Sequence, residues 1–276
     1  MENLVQDVRL ALRALRRNPG FGTAALLTLA LGIGGTCAVF SVVNDIYLRP
    51  LPFAHEDRLL RLRDSTRTPG GAIVTVNTNA PHFLEIAAQT RTLSGLSAQL
   101  GRSATLTGAD LPAHVDEALL SPGSLAVLGV QPVLGRGFSK DEEQQGEGAG
   151  VALISANLWH ARLGGDAQAL GRTIEVDGRP LRVVGVLPPG YRFPYDADVW
   201  LPLRLADAAA DDFAVFARMA PGATLGEVRA ELDSIASRMP GRDSRTLPGY
   251  GIEAVPLRKS LLADEDRVAV ALLAVL

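Results

Sequence analysis

Polar and apolar positions divide this chain into stretches of different period. Between residues 3 and 17, Leu4, Val8, Leu12 and Leu15 share helical spacing, while Arg9, Arg13, Arg16 and Arg17 fall elsewhere on the surface. That pattern predicts an amphipathic helix within residues 1–20, broken at Asn18-Pro19-Gly20. From Asn18 to Asn44 there follows a run of 27 residues without a charge. As a helix this run would extend about 40 Å, more than the roughly 30 Å of a bilayer's hydrocarbon core. A cleaved leader would carry a shorter apolar part, about 7–15 residues, and a small-x-small site. Phe40-Ser41-Val42-Val43 continues the run without one. A transmembrane helix over 21–44 is therefore expected. Within it Ala30, Gly34 and Ala38 lie four residues apart, a spacing that lets a second helix pack closely.

Past Asp45 the period shortens. Strands are expected at 58–63, 72–77, 97–100, 103–106, 115–120, 151–154, 198–203, 213–219 and 252–257. The strongest local pattern is Arg172 to Leu187, two alternating runs flanking Asp177-Gly178. Asp-Gly suits the tight type I′ turn that matches strand twist. Helices are expected near 82–89, with Pro81 tolerated in the first turn, from Ser121-Pro122 to about Leu128, from a Ser155 cap to Leu163, and over 225–239. The last of these places Val228, Leu232, Ile235 and Met239 on one face. The polar, glycine-rich stretch 142–150 reads as a solvated loop. Hairpins followed by a terminal β-α-β order predict an α+β fold.

Charge gives the direction of insertion. Residues 1–48 hold four arginines against Glu2, Asp7 and Asp45, which leaves +1; the whole chain carries −3, so the remainder carries −4. The basic flank keeps the N-terminus in the cytoplasm and places the rest outside, with Arg9, Arg13, Arg16 and Arg17 near anionic headgroups of the lipid bilayer. An acidic outer domain has no electrostatic footprint for nucleic acid. The only cysteine, Cys37, lies in the apolar run, so no intramolecular disulfide braces the domain. After Arg267 the chain ends in nine uncharged residues, too few to span. They read either as a buried terminal helix or as the start of a truncated second membrane helix at 267–276.

The chemistry-bearing motifs are absent. Neither Lys140 nor Lys259 follows a glycine, so no phosphate-binding Gly-Lys loop exists. Gly32-Ile33-Gly34-Gly35 lacks the spacing of a dinucleotide fingerprint. His55, His82, His114 and His160 stand far apart, and the acidic pairs Asp211-Asp212 and Asp196/Asp198 read as solvated loops. No catalytic, cofactor-binding or metal-ligating residue is assigned, and enzymatic activity is not expected.

Several segments resemble MacB/FtsX-type ABC transporter permeases, in particular the duplicated-permease group. They are Asp7 to Phe21, Leu29 to Gly34, Ala38 to Asn44, Leu48 to Pro52, Leu128 to Arg136, Leu170-Gly171-Arg172, Val183 to Val186, Pro189 to Pro194 and Asp198-Val199-Trp200. The resemblance implies an inner-membrane protein whose periplasmic core domain has a β-α-β porter-like part and an inserted mixed α/β part. It also implies a cytoplasmic ABC ATPase partner and a dimer or pseudo-dimer with a second permease half. A chain tethered at both ends must leave and re-enter the membrane on one side. Within the core domain, 45–266, residues 49–91 and 195–262 should then form the membrane-proximal part, and 92–194 a distal insert. A membrane-anchored periplasmic sensor or scaffold is the alternative. Further membrane spans beyond Leu276 would favour the permease, and a cytoplasmic signalling domain there would favour the sensor.

Overall fold

The computed structural model describes residues 20, 23–24, 27–34, 37, 53–68, 70–107, 112–208, 211–239 and 249–261. The chain divides into two units, Met1–Pro50 and Leu51–Leu276. In the first, residues 23–24 and 27–34, with Gly20 and Cys37, are helical and exposed. Among the described residues no helix is long and apolar enough to cross a membrane. Much of the expected span 21–44, the opening helix before Gly20 and the terminal stretch 267–276 lie outside the described residues.

The second unit is a mixed α/β domain dominated by one sheet. It opens with β1 (Leu59–Arg67), β2 (Ile73–Val76) and the short β3 (Thr78–Asn79). Next comes α1 (Ala80–Gln89), whose first turn holds a proline and whose N-cap Asn79 accepts from the His82 amide, satisfying one of the helix's orphan donors. The long β4 (Leu93–Thr107) and β5 (Ala113–Leu120) lead to α2 (Ser124–Leu128), β6 (Leu134–Gly135) and α3 (Lys140–Gln145). There follow β7 (Val151–Ile154), α4 (Ala156–Leu163), β8 (Thr173–Val176) and β9 (Arg179–Val186). The chain closes with β10 (Val199–Pro202), β11 (Asp212–Met219), α5 (Leu225–Ser237) and β12 (Gly251–Pro256).

Two expectations are corrected. The two short strands at 97–100 and 103–106 are one continuous strand of 15 residues, β4. Gly101 does not interrupt it. The glycine makes room for Tyr195, whose ring would lie 2.5 Å from any Cβ there, the close approach that an in-strand glycine permits. The stretch 142–150 is not a loop. Ser139 and Glu142 form a reciprocal capping box that nucleates α3, and a 3-10 turn, Gly146–Ala149, continues it.

The strand order has two regions that share β4. In the first, β12, β1, β11 and β4 lie side by side, all antiparallel. The Leu59–Leu62 segment of β1 pairs with Val215–Arg218 of β11, a long-range contact expected from the sequence. In the second, β4, β5, β10, β7 and β9 follow in order, and β8 pairs with both β9 and β4. These six strands close into a ring. Its β5–β10 and β7–β9 contacts are parallel and the others antiparallel. Alternation points Ala104, Val115, Leu119, Ile154, Val183 and Val199 to one side of the strands, all buried in one apolar cluster. The same cluster runs under α1 and α5, where Phe83, Ile86, Val228, Leu232 and Ile235 cover the open region. The opposite faces of β5, β7, β10 and β11 bury a second cluster around Trp200 and Phe216.

Candidate functional site

The described ends of the domain meet. Because β1 and β12 run antiparallel, with Leu60 opposite Pro256, the segment entering at Phe53 and the helical turn at 257–261 lie at the same end. Arg258 pairs with Glu56 at 3.0 Å, and Arg63 Nη2 donates to Ser260 Oγ at 3.0 Å. Phe53, Leu257 and Leu261 pack into the second cluster.

An aromatic group joins this entry point to both sheet regions. After β9, Pro188-Pro189-Gly190 makes a tight turn in which the Tyr191 amide donates to the Pro188 carbonyl and Gly190 has φ of 78°, the geometry glycine supplies without strain. The turn drops Tyr191 into the core. Phe53 meets Tyr191 edge-on at 6.2 Å and Phe193 at 5.1 Å; Phe193 meets Phe216 of β11 at 4.8 Å. Tyr191 packs against Trp200 of β10, whose indole N–H donates to the Phe193 carbonyl. Burial pushes the Tyr191 phenol above its ordinary range. Nearby, Arg218 Nε donates to the Val127 carbonyl at the end of α2, and its Nη1 to the His55 carbonyl. Burial, then the neighbouring Arg58, lowers its pKa.

The charged residues sort into separate groups. The four histidines do not converge. His82 is buried against Asp64 at 2.5 Å, with Thr78 and Tyr250 also donating to that carboxylate, and it knits α1 to β1 and the start of β12. His114 lies 3.7 Å from Asp116, and His160 stacks on Trp159. Asp196 and Asp198 are both paired with Arg192. Among the described residues, no group of three or more His, Cys, Asp or Glu could hold a metal ion. Of the residues expected in membrane-helix packing, Ala30 and Gly34 are helical and exposed; Ala38, and Arg9, Arg13, Arg16 and Arg17, lie outside the described residues.

One charge cluster was not anticipated. Glu117 of β5 is 1% exposed and sits between Val115 and Leu119 on the same side of its strand. Arg179 Nη2 reaches it at 2.9 Å and Arg102 Nε at 3.6 Å. The same two arginines also hold Glu147, at 2.5 and 2.7 Å. Desolvation raises the Glu117 pKa, against the opposing pull of Arg179 and Arg102, and the Glu147 charge raises it further. The signal was present in the sequence as a charge at a core-phase position of the Val115–Leu119 alternation.

The fold has known counterparts. The extracellular domain of the noncanonic ABC-type transporter YknZ from Gram-positive bacteria superposes with a TM-score of 0.53 at 15% identity, over 71% of this chain and 99% of that one. The periplasmic region of MacB from Actinobacillus actinomycetemcomitans does so with 0.55 at 10% identity, over 76% and 92%. No curated protein matches the chain in sequence. The MacB-like periplasmic core domain family matches residues 23–235, most of the chain. With ring, open sheet and paired ends in place, this chain belongs to the MacB-like periplasmic core domain family.

Proposed function

We propose that this chain is the N-terminal portion of an ABC transporter permease, in which ATP hydrolysis by a separate cytoplasmic ATPase moves the outer domain. The observation that carries this reading is the meeting of the domain's ends. Entry at Phe53 and exit at 257–261 share one end and one apolar cluster with the aromatic group. A displacement of either tether is thus delivered to β10 and β11 together, through close-packed rings that have little room to yield. Family membership and the uncharged run 18–44 support placing that end at an inner membrane. The chain itself has no ATP-binding lysine loop, so the energy comes from a partner, and a second permease half completes the pathway.

Topology tests the reading. In a Cys37→Ser background, Gln168→Cys, exposed on the ring side of the domain, should react with a membrane-impermeant maleimide in intact cells. Asn3→Cys should react only after permeabilisation. The reverse pattern overturns the proposal. The purified chain should also show no ATP turnover; turnover that follows this polypeptide through repurification would place the ATPase in the wrong protein.

A further inference from the structure

A notch opens on β4 where β5 leaves it. Along its first half β4 pairs with β11, and β5 joins on the other side only from Gln99 onward. The last bonds on that side run from the Ser121 amide to the Ala98 carbonyl and from the Ala98 amide to Ser121 Oγ. Pro122 then ends the ladder, having no N–H to give. Main-chain groups alternate sides along a strand, so those of Leu96 point the same way as those of Ala98. Among the described residues no strand covers that edge at Leu96. Beside it lies a cavity of about 400 Å³. Phe83 and Ala87 of α1 line one wall, Leu93 and Leu96 of β4 another, and Leu205, beyond β10, a third.

The lining contains no charged side chain, so an ion entering it would lose hydration without gaining a partner. Its three hydroxyls have no proton to offer. Thr90 donates to Glu231 at 3.0 Å, and Ser94 to the Arg218 carbonyl at 3.2 Å. Ser121 Oγ lies 3.3 Å from Ser124 Oγ, whose own proton goes to the Ser121 carbonyl at 2.6 Å; Ser121 is therefore the donor in that contact. What remains is one main-chain amide and carbonyl at an open edge, hydroxyl lone pairs and apolar walls. A free strand edge with apolar space beside it is what holds a peptide that adds as a strand. We propose that the notch binds a short, extended, uncharged segment of another polypeptide. Its main chain pairs with Leu96, and the side chain of the paired residue, on the same face as Leu96, fills the space against Phe83, Ala87 and Leu205. A lone acyl chain would fill the apolar space but leave the Leu96 amide and carbonyl unmatched.

Hydrogen exchange on the full chain in phosphatidylcholine nanodiscs tests the site, with the blocked peptide acetyl-Val-Leu-Val-amide as probe at millimolar concentration. Exchange at the Leu96 amide should slow severalfold, while the amides of β8 and β9 stay unchanged. The ester analogue, with oxygen in place of the central N–H, should protect severalfold less, and a peptide with aspartate at the centre should not protect at all. Ala87→Phe, at an exposed helix position that lines the cavity, should abolish the protection. Leu96 exchange that the peptide leaves unchanged overturns the proposal. So does equal protection by the ester, by the aspartate peptide or by decanol, the last of which would make the notch a site for apolar chains. Protection that persists in Ala87→Phe places the peptide elsewhere and overturns it too. The wild-type arms decide the matter even if Ala87→Phe does not fold.

Discussion

Glu142 receives two arginine N–H groups and the Ser139 amide on one carboxylate. Arg136 donates in bidentate fashion at 2.7 and 2.8 Å, and the Ser139 N–H at 2.8 Å. The arginine bond is the main cause that holds its pKa at about 2, from an ordinary 4.5. A carboxylate depressed in the folded state contributes stability above its unfolded pKa and loses it as pH falls through the folded one. Glu142→Gln keeps the capping geometry but loses the charge. Urea unfolding should find it about 1 kcal/mol less stable at pH 7, a value discounted because Arg136 is half exposed. The difference should shrink between pH 4.5 and 2, and a deficit that persists at low pH would mean the charge is not the source.

At the scale of elements, the β8–β9 hairpin shows what the sequence could and could not reveal. Asp177-Gly178 is the turn that composition and alternation predict, with φ of 49° and 73°. The same aspartate also ties the ring. Its Oδ1 accepts from the Thr105 amide at 2.8 Å, and its own amide donates to the Thr105 carbonyl at 2.9 Å. Asp177→Ala should destabilise the domain by about 1–3 kcal/mol through the orphaned amide and the strained backbone, while Asp177→Asn stays near wild type; equal losses in thermal melts would refute the pairing role. Local features were legible because their causes are local: the cap at Ser155, the turn at Asp177-Gly178, the apolar face of α5. What escaped depends on residues far apart in sequence. Gly101 looked like a break until Tyr195 was packed on it. Glu231 of α5 accepts from Thr90, Arg91 and Thr92 and so fixes the turn into β4, a role that needs the two segments side by side. The Glu117 cluster needs β4, β5 and β9 to be adjacent before its charges mean anything.

For the whole domain, the continuity of the sheet sets the folding behaviour. One apolar cluster runs from the ring strands to the underside of α1 and α5. Neither region can lose its packing and leave the other's intact. Equilibrium unfolding should therefore give one transition, with coincident curves from Trp159 and Trp200 fluorescence and far-UV circular dichroism. Two resolved transitions would mean that the ring is an independently stable insert. A single transition would also bear on the proposed function, since a domain that unfolds as one body transmits a pull as one body.

The 15-residue length of β4 has a mechanical consequence. At about 3.3 Å per residue it is a beam of roughly 50 Å, hydrogen-bonded to β11 over its first half and to β5 over its second. The two ladders meet at Gln99, which pairs with both neighbours, so the strand passes from the open sheet into the ring without an unpaired residue between them. The domain's elastic give must lie elsewhere. One narrow candidate is the seam where β8 pairs with β4 at Leu106 and Thr107, extended by the two Asp177–Thr105 hydrogen bonds. A stiff rod that ends in a narrow, closable seam would turn a push at the tethered end into a change of aperture at the other.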